Sequence, residues 1–237
     1  MGVLFALLAA LSAVVASRRR RRGQTRATAV IVSPPKSTVI AKDGAVRSAQ
    51  MAELTLAEED WQRLWNATNL ENLARTYWRF LSRVTLGLIR VVYGENERSV
   101  VLIGRPLTLL RFDAPEYVID RDYGSVRWQI RDGLLVARSG RGCGFLALAV
   151  THLEGVTDGR VRVLIEVEVA NFYPAIAAGF SVPAYEVTQS AIHVLVTHSF
   201  LRSLARLHLA KSKVGRFAAP HPDVRAAVAR VRERVHK

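Results

Sequence analysis

The chain has 237 residues, half of them hydrophobic, which supplies a buried core and excludes an intrinsically disordered protein. Its formal charge of +14 lies entirely outside a neutral centre: Ser48 to Ala210 holds 17 arginines, no lysine and 17 acidic residues, while residues 1–26 and 211–237 each contribute +6. Nucleic-acid-binding modules carry a basic stripe on the folded domain itself, so this layout argues against a nucleic-acid partner and for anionic lipid headgroups. The single cysteine, Cys143, excludes an internal disulfide and a multi-cysteine metal site.

Val3 to Ala16 is apolar apart from Ser12, and the run Arg18, Arg19, Arg20, Arg21, Arg22 follows directly. A cleavable signal peptide places its basic region first, so the order here predicts an uncleaved N-terminal anchor helix over 1–17. The positive-inside rule keeps the arginines, as membrane-contacting residues, and everything after them on the cytoplasmic side, with the N-terminus outside. About 20 apolar residues normally span a bilayer, so this shorter segment either spans with local thinning or lies in the interface. Residues 18–50 read as a basic linker, with an edge strand possible around the two β-branched clusters Val30 to Val32 and Thr38 to Ile40 that flank Pro34-Pro35.

The domain proper is expected over 51–210. Thr55-Leu56-Ala57-Glu58 has the form of a capping box, and the spacing of apolar residues predicts two consecutive short helices, about 56–66 and 70–82. From Leu86 the period shifts towards two. Turn signals divide the stretch into expected strands 86–93, 98–104, 107–112, 116–120, 124–131, 133–138, 144–153 and 160–170. Val126, Trp128 and Ile130 alternate with polar residues, as do Val161, Val163, Ile165, Val167 and Val169, so one sheet face is covered and the other is wet. A long helix over 184–210, opened by Pro183 and carrying Leu195 and Leu204 on a broad apolar surface, is expected to cover it. A basic C-terminal helix or tail occupies 211–237. The fold class is therefore α+β, an antiparallel meander gripping a long C-terminal helix.

Chemistry is sparse. Gly140-Arg141-Gly142-Cys143-Gly144 joins two strands with no helix after it, which is the wrong context for a phosphate loop. Cys143 as a nucleophile needs a base, and His152 is the local candidate. His193 and His198 are five residues apart and point about 140° from each other around a helix, so they do not clasp one metal. Glu166 and Glu168 read as members of a solvated ion-pair ladder with Arg160 and Arg162 before a catalytic carboxylate pair. No metal and no cofactor is expected.

The order of two helices, antiparallel strands and one long helix resembles the START-like helix-grip superfamily of polyketide cyclases, lipid-transfer domains and hormone receptors. The resemblance is carried by Trp61-Gln62-Arg63-Leu64-Trp65 with Asn69-Leu70-Glu71-Asn72-Leu73, and by Arg162 to Val169 followed by 184–210. The family's first strand, immediately before the helices, corresponds to Glu53-Leu54-Thr55 or to Ala29 to Val32. The resemblance implies a cavity for an apolar small molecule between sheet and helix, walled by Trp128, Val163, Ile165, Val167 and Leu195. The functions open to the sequence are a membrane-tethered, non-catalytic domain that binds an apolar ligand or membrane lipid, a cyclase- or hydrolase-like enzyme on the same fold, or a protein-docking adaptor.

Overall fold

A computed structural model of the chain describes residues 26–34, 37–94, 96–102, 107–153, 158–175 and 191–210. The expected anchor over 1–17, the arginine run, residues 184–190 of the long helix and the C-terminal basic helix lie outside the described residues. Two edge strands, β1 (Thr28–Ile31) and β2 (Thr38–Ile40), precede a long strand β3 (Val46–Ala57). Helices α1 (Glu58–Leu64) and α2 (Ala67–Val84) come next, followed by strands β4 (Ile89–Tyr93), β5 (Glu97–Leu102), β6 (Thr108–Asp113), β7 (Glu116–Ile119), β8 (Tyr123–Asp132), β9 (Phe145–Leu153) and β10 (Arg160–Phe172). Helix α3 (Ala191–Ser203) and a 3-10 turn (Leu204–Arg206) close the described chain.

The ten strands form one antiparallel sheet in the order β1-β3-β10-β9-β8-β6-β5-β4, with β2 on β3 and β7 on β8. From β4 to β10 this is the expected meander. The strand before the helices pairs with the strand before the last helix, in a register that sets Leu54 against Val163 and Ala52 against Ile165. That closure, with α3 laid across β3 and β1, is the helix-grip arrangement.

The first strand is where sequence and structure part. β3 runs twelve residues, through the Thr55-Leu56-Ala57 that reads as a capping box. Thr55 is paired with Thr28 on one side and Arg162 on the other, and a residue committed to two ladders does not cap a helix. α1 accordingly starts at Glu58, with Ala57 at the N-cap and no side-chain cap; its first-turn acids Glu58, Glu59 and Asp60 suit the positive helix end instead. Asn66 does cap α2, its side chain accepting from the Asn69 N–H at 2.9 Å. With 18 residues α2 is longer than expected, and it ends where Leu86 and Gly87 adopt positive φ of 53° and 81°, which also delays β4 to Ile89.

Residues 133–138 form no strand: Gly133 turns at φ 143° with its Cα against the Leu109 carbonyl, where an added Cβ would meet the oxygen at 2.2 Å. Only a single bridge, Val136 to Pro174, follows before a 3-10 turn at Arg138–Gly140. α3 ends sooner than expected, at Ser203.

The core lies between the inward rows of the sheet and the helices. Val126, Trp128 and Ile130 of β8 and Val161, Val163, Ile165 and Val167 of β10 are all buried, as the alternation predicts. Trp128 meets Trp78 of α2 edge to face at 5.1 Å, and Phe200 of α3 meets Tyr77 and Phe80 in the same way. The outer face is less wet than expected. Met51, Leu164 and Glu166 on it are buried, whereas its ion pairs run across strands, Arg162 to Glu53 at 2.9 Å and Arg47 to Glu168 at 2.7 Å. Replacing Trp128 with Ala removes one of the largest fully buried side chains and should destabilise the domain by about 3–5 kcal/mol. An unchanged denaturant midpoint would contradict its place at the centre of the core.

Candidate functional site

Among the described residues the sheet and helices leave an apolar cleft, and α1 forms one of its walls. Trp61 of α1 and Trp65 at its C-cap stack with centroids 4.6 Å apart. Trp65 lies on the bare backbone of Gly124, where a Cβ would sit 2.7 Å from the indole, and its Nε1 donates to the Arg121 carbonyl at 2.7 Å. Trp61 stacks on the His152 ring at 5.5 Å, and His152 Nδ1 sits 3.0 Å from Asp122 Oδ1. These contacts hold both indoles at the sheet end where β9 finishes.

The opposite wall is the segment after α3. Leu207 adopts the left-handed conformation at φ 53°, unusual for a bulky side chain and costing about 1–3 kcal/mol. Three residues on, the Ala210 N–H donates to Thr76 Oγ1 at 2.8 Å, tying the segment to α2. Leu204, Leu207 and Leu209 thereby face Leu70 and Leu73 of α2, and Leu54, Leu56, Val150, Val163 and Ile165 form the floor. Among the described residues that line it, only Asn69 carries an amide, hydroxyl or charge.

The free space is ≈ 70 Å³. A dry cavity of about 150 Å³ takes up benzene, so this cleft as it stands admits the end of an apolar chain and not a whole lipid. Trp61, Leu64, Trp65, Leu207 and Leu209 are only half-buried, so the walls that would have to part for a larger occupant are already partly open to solvent.

Of the five wall residues expected from the sequence, Val163 and Ile165 line this cleft. Trp128 and Val167 are buried away from it, and the Leu195 side chain lies outside the described residues. As cleft walls, α1 and Leu204 to Leu209 were not named from the sequence. The first had a signal in the apolar spacing of Trp61, Leu64 and Trp65; Leu204 stood on the apolar surface expected of the long helix, but the turn that brings in Leu207 and Leu209 depends on where α3 stops.

The other sequence candidates do not assemble into a reactive site. Cys143 is exposed in its turn, its Sγ near the Ser139 and Arg141 carbonyls, while His152 is at the other end of β9. Phe145 and His152 alone are separated by roughly 23 Å at the usual strand rise, so His152 cannot serve Cys143. His198 Nε2 is 2.8 Å from Gln50 Oε1 and 3.5 Å from Ser33 Oγ. Both partners address the same ring nitrogen, so the arrangement is a pin between α3 and β3 and not a proton relay; burial, with Arg202 nearby, holds its pKa below the usual histidine value. Glu166 is buried on the outer face and Glu168 pairs with Arg47, so the two do not act as a carboxylate pair. Among the described residues no group of three His, Cys, Asp or Glu side chains is placed to hold a metal ion.

No protein-family model matches the chain, and no curated protein sequence does. Similar solved structures include truncated norcoclaurine synthase from Thalictrum flavum, 10% identical with a TM-score of 0.34, covering 69% of this chain and 96% of that one. A conserved protein from Geobacillus kaustophilus is 15% identical, with a TM-score of 0.33 and coverage of 68% and 97%. Human STARD10 is 7% identical, with a TM-score of 0.31 and coverage of 79% and 71%.

Proposed function

We propose that this protein is a membrane-tethered domain that takes the end of an apolar chain, from a lipid or another hydrophobic small molecule, into the cleft between α1 and the Leu204 to Leu209 segment without transforming it. The observation that carries the reading is the lining: two half-buried indoles and a ring of aliphatic side chains around open space, with Asn69 the one polar contributor among the described residues. A ligand site in the interior of a soluble domain is mostly apolar with a few oriented polar groups, and catalysis asks for titratable groups converging on the bound molecule. Here His152, paired with Asp122, stacks on Trp61 and is not among the lining residues.

The tether is the apolar segment before Arg18 to Arg22, with the domain on the cytoplasmic side. Among the described residues no helix is long and apolar enough to cross a membrane, so the proposal places anchoring wholly on residues 1–22. Basic residues beside an apolar anchor add about 1 kcal/mol each against anionic lipid, which alone gives weak and salt-sensitive attachment. A shallow cleft suits a tethered domain, because a molecule held at the bilayer surface needs only one chain end shielded from water.

Deleting residues 1–22 should move the protein from the membrane fraction to the soluble one; membrane binding that survives the deletion and high salt would contradict the tether. The soluble protein so obtained should bind a medium-chain fatty acid at one saturable site by calorimetry. Leu207→Trp, which fills the cleft from a half-buried position, should weaken that binding at least tenfold with the circular dichroism spectrum unchanged. Equal affinity in the variant would remove the cleft as the site.

A further inference from the structure

The outer face of the sheet, away from the cleft, carries an apolar diagonal. Val32, just past β1, donates its N–H to the Met51 carbonyl and stands beside Met51 of β3. Met51 pairs with Glu166 of β10, so Leu164 lies one diagonal step away; Leu164 pairs with Thr151 of β9, so Leu153 lies one step further in the same direction. The four side chains cross four adjacent strands in a line of about 20 Å, given the usual strand spacing and rise. Ion pairs edge the line, Arg162 with Glu53 at 2.9 Å and Arg47 with Glu168 at 2.7 Å.

Met51 and Leu164 are each only 2% exposed, and Thr151, Ala149 and Glu166 around them are buried as well. An antiparallel face left to water is normally polar and exposed, so a buried apolar line on it marks a covered surface. Among the described residues Leu153 is the one hydrophobic side chain packed against the pair, and the helices pack against the inward rows instead. The rest of the chain holds a matching element. Val224, Val228, Val231 and Val235 recur at spacings of four, three and four, which sets them on one stripe of a helix about 17 Å long, with Arg225, Arg230, Arg232 and Arg234 off that stripe. The described chain ends near the diagonal's Leu153 end: Leu209 lines the cleft with Trp61, and Trp61 stacks on His152 next to Leu153. Residues 211–223 reach at most about 45 Å when extended, which suffices to round that end of the sheet.

We propose that this outer face is the docking surface for the chain's own basic C-terminal segment, residues 211–237, with the valine stripe laid along the diagonal of Val32, Met51, Leu164 and Leu153. The small side chains Ala49 and Ala149 beside the line let a helix approach closely, and Glu166 sets a carboxylate beside Met51 that a basic segment complements. The apolar N-terminal segment is the poorer occupant. Val3 to Ala16 is apolar on every side apart from Ser12, which suits a bilayer better than a narrow line edged by ion pairs. Docking adds a third layer to the domain and is independent of any ligand in the cleft.

The test uses the full chain in non-ionic detergent, with the photoreactive residue benzoylphenylalanine in place of Val228. Irradiation should join position 228 to the peptide of the same chain that holds Met51 or the one that holds Leu164, as read by mass spectrometry. A product with any other segment, with a second copy, or with detergent alone would overturn the proposal. Adding Val224→Asp and Val235→Asp should abolish the cross-link, and one that survives them also overturns it. A second measurement avoids the bulky probe: Val228→Asp/Val231→Asp in the full chain should lower the thermal midpoint by uncovering Met51 and Leu164, and an unchanged midpoint would contradict the docking.

Discussion

The pairing of β3 with β10 is the constraint on which the rest of the structure depends. β3 comes before both of the first helices and β10 comes just before the last, so their ladder fastens the beginning of the domain to its end across more than a hundred residues. Such non-local pairing carries a large loop-closure entropy that only a long, well-packed ladder offsets. Twelve and thirteen residues respectively provide it, with Ala52, Leu54 and Leu56 interleaved with Val161, Val163 and Ile165 on the inward face. Because β3 leads directly into α1, the same ladder decides where the Trp61 and Trp65 indoles sit and therefore where the cleft opens.

From that pairing follows a division of the interior by α2. One flank of the helix presents Leu70 and Leu73 to an apolar cleft, and the other presents Glu71, Arg75 and Trp78 to a polar hollow. The helix can serve both because residues three and four apart share a face while their neighbours turn away. The deep core, with Trp78 against Trp128 and Phe200 against Tyr77 and Phe80, lies between and keeps the two spaces separate. What is small on each side is also fixed on each side, by the Trp65 bond to the Arg121 carbonyl in one case and by the Arg98 bonds to Gly94 and Glu97 in the other.

The meander from β4 to β10 was legible in the sequence because each strand there is bracketed by turn residues and alternates cleanly, and the inward row through Trp128, Val163, Ile165 and Val167 is buried as that alternation requires. β3 was not legible. Its inner stretch, Ser48-Ala49-Gln50-Met51-Ala52, has neither β-branched residues nor apolar alternation, because it is buried on both faces and its neighbours supply the packing. Thr55 then carries a local helix-start signal that two flanking ladders override. The cleft was half legible for a related reason. Val163 and Ile165 follow from a period of two, but the wall from Leu204 to Leu209 depends on a left-handed turn at Leu207, where nothing in the residue type announces it.

The central claim is one of place: an apolar chain enters beside α1 and not at the Trp78 and Trp128 core. Quenching of tryptophan fluorescence by a bromine-labelled fatty acid reads that place directly, because the four indoles divide into two at the cleft and two at the core. The account predicts saturable quenching in the soluble protein that disappears in Trp61→Phe/Trp65→Phe, leaving the emission of Trp78 and Trp128 untouched by the ligand. Saturable quenching that persists in the double variant would place the chain in the core and contradict it.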